Sequence, residues 1–218
     1  MQKKILIVDD HDDLASLLQR RFTEFGHSVT VVDNREDAVE LVEHERFNLF
    51  ISDLDGESDD ESRSAIKAFK LSVQGFDTSD CTEEDLKACI EMTLNCKAEV
   101  VDKIEAVQAI HEKIEFEVPS VISLMHDILA YLMRRVEKLG VINPETSNLF
   151  IALDEAFVNA VKHGNKFDSA KLVRITADVS SDEARFTIED EGEGFNVAEI
   201  PDPLNPENLF KTSGRGVL

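Results

Sequence analysis

The stretch KKILIVDD, residues 3–10, decides how the first half of the chain folds. Its centre, residues 5–8, is an uninterrupted aliphatic run, and two carboxylates follow directly. Such a run is typical of a strand buried on both faces of a parallel sheet. The next segment, HDDLASLLQRRFTEFG, has apolar residues at helical spacing and ends on Gly26, a common helix stop. The chain therefore begins with a strand followed by a helix.

This alternation continues along the chain. HSVTVVD and FNLFISD are predicted strands, and REDAVELVEHER between them is a predicted helix. Further on, KLSVQ and TLNCKA are predicted strands, CTEEDLKACIEM a helix, and EVVDKIEAVQAIHEKIE a long helix over residues 99–115. Strands alternating with helices predict an α/β fold with a doubly wound parallel sheet. We expect this first domain to cover residues 1–115, with its last helix as a linker.

The pattern changes from FEVP onward. Two long helical segments, VISLMHDILAYLMRRVEKLG and LDEAFVNAVKHGNK, precede LVRITADVS and EARFTIEDEGEGF, which alternate apolar and polar residues. Such alternation is typical of antiparallel strands with one buried face. Residues 116–218 are therefore predicted to form an α+β domain, a two-layer α/β sandwich of helices on an antiparallel sheet.

Composition excludes some classes of partner. The chain has 45 acidic against 23 basic residues and a net charge of −22, which argues against a nucleic-acid surface. The apolar run near the start is too short for a signal peptide or a membrane span, so no membrane contact is expected. Three cysteines without ligand-like pairing suggest a reducing compartment, and the cytoplasm is the expected location.

Charged residues stand at the predicted strand ends. Asp9 and Asp10 end the first strand, Asp53 ends the third, and Lys97 lies near the end of the last. Ligands of open parallel sheets gather at this edge, where three carboxylates would repel each other unless Mg2+ neutralised them. One carboxylate could then attack a phosphoryl group, whose oxygens the lysine would bind. Singly, each aspartate could instead cap a loop or helix.

The segments ILIVDDHDD, FISD and CKA, with GFDT at residues 75–78, resemble the receiver domain of response regulators. The resemblance implies that Asp9 and Asp10 hold Mg2+, that Asp53 accepts a phosphoryl group from a cognate sensor histidine kinase, and that Lys97 binds that group.

Three features depart from the receiver pattern. Gln74 stands where the family usually has Thr or Ser, and Ala98 stands where it has Pro. The loop after Asp53 is about five residues shorter than the family's loop. Either the receiver is degenerate, or residues are missing from this loop.

A second candidate site begins in LDEAFVNAVKHGNK, residues 153–166. Glu155, Asn159 and His163 are four residues apart and would share one helix face. A solvated stripe on an amphipathic helix is the simpler interpretation of that face. HGN, which follows, is a helix stop that can also approach a ligand closely.

Two glycine-containing segments follow. In EDEGEGF, Asp190 could accept a hydrogen bond from an adenine amino group, while Gly192 and Gly194 would let the backbone approach a ring or phosphate. A plain turn would also explain this segment. TSGRG, residues 212–216, offers backbone N–H groups and Arg215 for phosphate.

Together these segments resemble the ATPase fold shared by histidine kinases, gyrase-type ATPases and anti-sigma-factor serine kinases, and EAFVNAVKHGNK and DPLNPENLFKTSGRG most resemble the last branch. The resemblance implies ATP and Mg2+ as cofactors, with Asn159 holding Mg2+, Glu155 as general base and Asp190 reading adenine. The other implied pocket residues are His163, Gly192, Gly194, Gly214, Arg215 and Gly216. Because Leu218 falls just inside the helix that normally follows, the domain is expected to be incomplete at its C-terminus.

The leading hypothesis is a bacterial two-component response regulator whose receiver controls a protein serine/threonine kinase. Its protein substrate would be an anti-sigma antagonist, a sigma factor or a similar regulator, and a homodimer is possible. One alternative is a histidine autokinase phosphorylated at His111, although that needs a helical hairpin for which the sequence has no room. Another is a module that sequesters a sigma factor and uses nucleotide only as a conformational ligand.

Overall fold

The computed structural model describes residues 2–11, 13–55, 66–74, 82–105, 111–143, 147–180 and 182–194. The strands within these ranges are β1 (Lys4–Asp9), β2 (Ser28–Val32), β3 (Leu49–Asp55), β4 (Ile66–Val73), β5 (His111–Pro119), β6 (Leu172–Val179) and β7 (Ala184–Asp190). The helices are α1 (Asp13–Glu24), α2 (Arg35–His44), α3 (Glu83–Glu105), α4 (Met125–Lys138) and α5 (Leu149–Asn159). A 3-10 turn, Ile122–Leu124, precedes α4, and a π-helical turn, Ala160–Gly164, follows α5.

The first three strands confirm the predicted parallel start. β1 pairs in parallel with both β2 and β3, so its aliphatic run is buried between two neighbours. α1 ends before Gly26, whose φ of +81° is the left-handed conformation that a helix stop requires. α2 begins after Asn34, whose side chain accepts a hydrogen bond from the Asp37 N–H. α1 and α2 pack against different core clusters, on opposite faces of the sheet.

The strand predicted at TLNCKA was wrong, and the linker helix predicted over residues 99–115 is confirmed for residues 99–105 but wrong for residues 111–115, while residues 106–110 lie outside the described part of the chain. Residues 93–98 lie within α3, while residues 111–115 belong to β5. α3 continues because buried Leu86, Ile90 and Leu94 keep the four-residue helical spacing and no Gly or Pro interrupts the segment. β5 alternates in burial instead, as a strand does. The predicted boundary after residue 115 therefore falls inside a strand.

β4 matches the predicted strand at KLSVQ but runs antiparallel to β3. The connection, residues 56–65, is shorter than the dozen or more residues that a parallel crossover needs. β4 then pairs in parallel with β5, and β5, β6 and β7 are successively antiparallel. The result is one mixed sheet in the order β2-β1-β3-β4-β5-β6-β7, with the doubly wound part confined to its first three strands.

One large apolar core lies on the sheet face that α1, α3, α4 and α5 cover. It includes side chains from β1 at one end and from β6 at the other, so both predicted domains contribute to it. Near its centre, the rings of Phe69, Phe116 and Tyr131 contact one another at centroid distances of 6.2 to 6.4 Å. A smaller core lies under α2 on the opposite face.

Beyond β3, charged side chains occupy the face opposite the large core. Glu117 of β5 lies between Arg174 Nη2 at 2.6 Å and Lys70 Nζ at 3.0 Å. Burial alone would raise the pKa of Glu117, but hydrogen bonds from Arg174, Lys70 and Ser72 outweigh it and lower the pKa to about 2. This face is therefore held together by ion pairs rather than by packing. Within the described ranges, no helix is both long and apolar enough to cross a membrane.

Candidate functional site

The predicted acidic edge forms in part. Asp9 and Asp53 are Cα partners in the parallel pair of β1 and β3, and both are buried. Asp9 accepts hydrogen bonds from the N–H groups of His11 at 3.1 Å and Ala15 at 2.7 Å, so it fixes the start of α1. Asp10 is exposed and pairs with His11 instead. Among the described residues, no group of three or more acidic, His or Cys side chains is placed to hold a metal ion.

Lys97 reaches Asp53 from an unexpected element. It lies on α3 rather than at a strand end, yet its Nζ is 2.7 Å from Asp53 Oδ1. Both side chains are buried, and the ammonium also lies 5.4 Å from the centroid of the Phe69 ring. The predicted aspartate–lysine contact therefore exists, whereas the predicted secondary structure around the lysine was wrong.

Two further buried charges that the sequence analysis did not single out extend this contact. Glu112 Oε1 lies 3.8 Å from Lys97 Nζ, and Glu112 Oε2 accepts a hydrogen bond from Arg135 Nε at 2.7 Å. Both added residues are at most 1% exposed. One signal was available in HEKIEFEVP, where alternation puts Glu112 on the same face as Ile114 and Phe116. A carboxylate at a core position needs a buried partner.

The second candidate site lies where α5 ends. Glu155 is exposed on α5, and Asn159, the last residue of α5, is half-buried. His163 is exposed within the π-helical turn, which the N–H of Asn165 closes on the Ala160 carbonyl at 2.8 Å. A π turn holds more residues than an α turn, so the four-residue spacing continues less regularly from Asn159 to His163. Single π turns inside helices occur frequently at functional sites.

Close backbone packing joins the α5 end to the β7 end. A Cβ on Gly164 would lie 2.2 Å from Asp190 Cγ, so the aspartate side chain sits directly against this glycine. A Cβ on Gly192 would lie 2.5 Å from the Gly164 carbonyl oxygen. The Gly192 N–H donates to Asp190 Oδ1 at 2.8 Å, and Gly194 has a φ of +72°. Asp190 and Gly192 therefore lie together beside the turn that follows Asn159.

Asn165 holds this junction in place and was not among the predicted site residues. Its side chain is 1% exposed and donates to Ser120 Oγ at 2.5 Å and to the Leu172 carbonyl at 2.8 Å. Its Oδ1 accepts from the Glu191 N–H at 2.8 Å. One amide thus connects the π turn with the ends of β5, β6 and β7. The only sequence signal was its position after His163 and Gly164, where a helix-stop role was a sufficient explanation.

The chain leaves the π turn through two strained residues. Lys166 and Phe167 have φ values of 57° and 60°, the left-handed region that residues with a Cβ rarely adopt. Consecutive residues of this kind cost about 1–3 kcal/mol each and occur preferentially at functional sites. Their geometry supports a ligand-binding role for this corner of the sheet.

Some predicted site residues lie outside the described part of the chain. They are Gly214, Arg215 and Gly216 of the second glycine segment, together with the GFDT segment at residues 75–78. The autokinase alternative concerns His111, which stands on β5 and is hydrogen-bonded through Nε2 to Asp178 Oδ1. A strand position does not match the helical phosphoacceptor that this alternative requires.

Comparison with known protein families agrees with both parts of the chain. Residues 119–218 match the histidine kinase-like ATPase domain, and residues 5–60 match the response regulator receiver domain. The receiver match includes Asp9, Asp10 and Asp53 but ends before Lys97.

Curated relatives agree with the ATPase assignment. The chain is 39% identical over 76 residues to the anti-sigma F factors of three Type A strains of Clostridium perfringens. The match covers 33% of this chain and 53% of each relative, so the chain spans about half the length of the curated relatives it matches. No solved structure matches the chain significantly. The chain thus carries a response regulator receiver domain, matched over residues 5–60, and a histidine kinase-like ATPase domain, matched over residues 119–218.

Proposed function

We propose that this protein is a bacterial two-component response regulator whose receiver controls an ATP-dependent protein serine/threonine kinase. The observation that carries the proposal is the packing of Asp190 and Gly192 against Gly164, five residues after Asn159. It brings the asparagine segment and the aspartate-glycine segment, which lie far apart in the sequence, to one corner of the sheet. Similarity to anti-sigma F factors supports the kinase branch of this ATPase family.

The residues at this corner fit a nucleotide. Glycines at positions 164 and 192 let the Asp190 carboxylate pack against the backbone, and Asp190 is exposed, so a flat ring could approach the carboxylate from the solvent side. Asp190 would accept a hydrogen bond from the adenine amino group. Gly194 is proposed to line the same nucleotide pocket.

Phosphate binding involves a second set of proposed residues. Asn159 would offer its amide oxygen to Mg2+ on the nucleotide phosphates, since Mg2+ commonly takes few protein ligands beside phosphate. His163, Gly214, Arg215 and Gly216 are proposed to bind the phosphates or close over them.

The transfer chemistry is assigned to Glu155. Bound ATP supplies the γ-phosphoryl group, and bound Mg2+ neutralises charge on the phosphates. The attacking hydroxyl of a substrate serine or threonine would form the new bond to phosphorus while the bond to the ADP oxygen breaks. Glu155 would accept the hydroxyl proton. Its position one helical turn before Asn159, exposed to solvent, supports this assignment.

In the receiver, we assign the phosphoacceptor role to Asp53 and the phosphate-binding role to Lys97. A carboxylate oxygen of Asp53 would attack the phosphorus of a phosphohistidine on the sensor kinase, and the bond from phosphorus to imidazole nitrogen would break. The 2.7 Å contact between Lys97 and Asp53 supports this pairing. Asp9 and Asp10 remain the proposed Mg2+ ligands, but among the described residues no group of three or more acidic, His or Cys side chains is placed to hold a metal ion, so no step here depends on one.

The proposed partners follow from both domains. The phosphodonor would be a sensor histidine kinase, and the output partner an anti-sigma antagonist, a sigma factor or a similar regulatory protein. Anti-sigma F factors among the relatives support a partner of that class.

The test is incubation with labelled ATP and candidate partner proteins from the same operon. Wild-type protein should transfer acid-stable label to a partner hydroxyl. Glu155→Gln should bind ATP normally but lose transfer by 10²-fold or more, the scale of general-base catalysis. Asp154→Asn, the adjacent carboxylate on a different helix face, is the matched control and should transfer as the wild type does.

The same experiment separates the alternatives. Acid-labile label on His111 would support the autokinase. If the Glu155→Gln protein kept its biological output, the protein would be a nucleotide-dependent sequestering module instead. If acetyl phosphate failed to modify Asp53, the receiver would be degenerate and serve only for contacts.

A further inference from the structure

Four buried charged side chains form a continuous row through the core. Asp53 of β3 contacts Lys97 of α3, which faces Glu112 of β5, which is hydrogen-bonded to Arg135 of α4. The four side chains are between 0% and 7% exposed. We refer to them as the charged row. Its first member belongs to the receiver match and its last to the ATPase match.

The weakest contact of the charged row is the one between Lys97 and Glu112. Lys97 Nζ is 2.7 Å from Asp53 but 3.8 Å from Glu112, too far for a hydrogen bond. Glu112 Oε1 has no hydrogen-bond partner among the described residues. One ammonium therefore stands between two buried carboxylates and is hydrogen-bonded to the first. A buried carboxylate oxygen without a hydrogen bond is costly, and a small movement of Lys97 toward Glu112 would give this oxygen a bond at the expense of the bond to Asp53.

The far end of the row lies on a helix that packs against the helix of the proposed kinase site. Arg135 lies on α4, and α4 packs against α5, the helix that carries Glu155 and Asn159. α3 is also tied to α4 by Asp102 and Arg134 at 2.6 Å, and to the 3-10 turn just before α4 by Glu83 and Ser123 at 3.2 Å. A change in the row therefore acts on helices that are already coupled by contact.

We propose that the charged row transmits the state of Asp53 to α4, with Lys97 exchanging its hydrogen bond between Asp53 and Glu112. The proposal rests on the proposed function in taking Asp53 as the phosphoacceptor. A phosphoryl group on Asp53 adds negative charge and holds Lys97 away from Glu112. An amide at position 53 removes negative charge, so Lys97 turns to Glu112. The two changes shift α4 in opposite directions.

The test measures two properties of the full chain, in wild type and in Glu112→Gln. One is the affinity for a fluorescent ATP analogue. The other is hydrogen exchange of the α4 amides, which requires no nucleotide. Each is measured for unmodified Asp53, for Asp53 treated with acetyl phosphate and Mg2+, and for Asp53→Asn. Glu117→Gln is the matched control, because Glu117 lies on the same strand but on the opposite face.

In the wild type and in Glu117→Gln, phosphorylation and Asp53→Asn should change the analogue Kd at least 5-fold in opposite directions, the usual scale of allosteric coupling. α4 exchange should shift with the same opposite signs. In Glu112→Gln, both changes should leave Kd within 2-fold and α4 exchange unaltered. Equal responses in wild type and Glu112→Gln would overturn the proposal, as would an Asp53→Asn protein whose α4 exchange matches the wild type.

Failure of the proposed function would give a different result from failure of the charged row. A wild type that binds no ATP analogue but shows the α4 exchange response to Asp53→Asn would keep the charged row and remove the kinase assignment.

If Glu112→Gln does not fold, the double variant Glu112→Leu with Arg135→Met takes its place. It removes both distal charges together, so no unpaired charge is left from that pair. The same loss of response is expected from it, and a retained response would overturn the proposal.

Discussion

At the scale of single residues, Gly164 has the closest neighbour of the described glycines in the candidate nucleotide site. Any side chain there would occupy the space of the Asp190 carboxylate, which lies 2.2 Å from the position of a Cβ. Asp190 is held from its other side as well, since its Oδ1 accepts the Gly192 N–H. A side chain at position 164 would therefore displace the Asp190 carboxylate from the position in which it is proposed to bind a nucleotide base.

Gly164→Ala should weaken binding of a fluorescent ATP analogue by 10-fold or more, because Asp190 is displaced. Gly140→Ala is the control: Gly140 has a φ of +73° and open space around it, so the substitution costs about 1 kcal/mol of backbone strain without a clash. Titration fluorescence gives Kd, and urea unfolding gives stability. Normal affinity in Gly164→Ala would show that Asp190 does not contact the nucleotide.

At the scale of elements, α3 separates what sequence patterns can predict from what they cannot. The strand-helix-strand start was predictable because its periodicity and its helix stops are local. α3 was predicted as a helix, a strand and a second helix, with Lys97 near the end of the strand. Helical spacing of buried residues through Leu94 contradicted that interpretation and was the better guide.

The candidate sites were predictable to a similar degree. Asp53 and Lys97 were paired correctly, whereas Glu112, Arg135 and Asn165 were missed. Their importance depends on long-range contacts, which no local pattern reports. The antiparallel pairing of β3 with β4 was missed for the same reason.

Ala98→Pro tests whether Lys97 lies inside a helix. Receiver domains place Pro after this lysine, where a strand end accepts it, but Ala98 is a buried interior residue of α3. Proline there removes a helical hydrogen bond and clashes with the preceding turn, so the free energy of unfolding should fall by about 3 kcal/mol or more. Ala98→Gly is the control and should cost about 1 kcal/mol. Urea unfolding followed by circular dichroism measures both, and a Pro variant as stable as the wild type would favour the strand.

At the scale of the whole molecule, one sheet and one core connect the two family matches. β4 pairs with β3 on one side and β5 on the other, and Phe69 of β4 contacts both Phe116 and Tyr131. A conformational change in one part would therefore act on the other through the shared core of the described residues.

Differential scanning calorimetry should then show one cooperative unfolding transition, with calorimetric and van't Hoff enthalpies that agree. The physical reason is that neither half can expose its part of the shared core while the other remains folded. Two separate transitions would instead indicate that the receiver and ATPase parts fold independently. Phe69→Ala should lower the midpoint of the single transition because it removes a ring from the shared core, at a cost of about 3–5 kcal/mol.

Low pH should weaken the ion pairs of Glu117 on the sheet face opposite the large core. Its folded pKa of about 2 lies below its ordinary value of 4.5, so Glu117 contributes stability above about pH 4.5 that is lost as pH falls toward 2. The full shift corresponds to roughly 3 kcal/mol, and partial solvent contact reduces this to about 2 kcal/mol. Glu117→Gln should therefore lose about that amount at pH 7 and show a shallower decline between pH 5 and 2 in urea unfolding. The control is Glu189→Gln, because Glu189 is exposed and lies 3.9 Å from the same Arg174; this variant should follow the wild-type curve. Parallel curves for Glu117→Gln and the wild type would contradict the ion-pair account of this face.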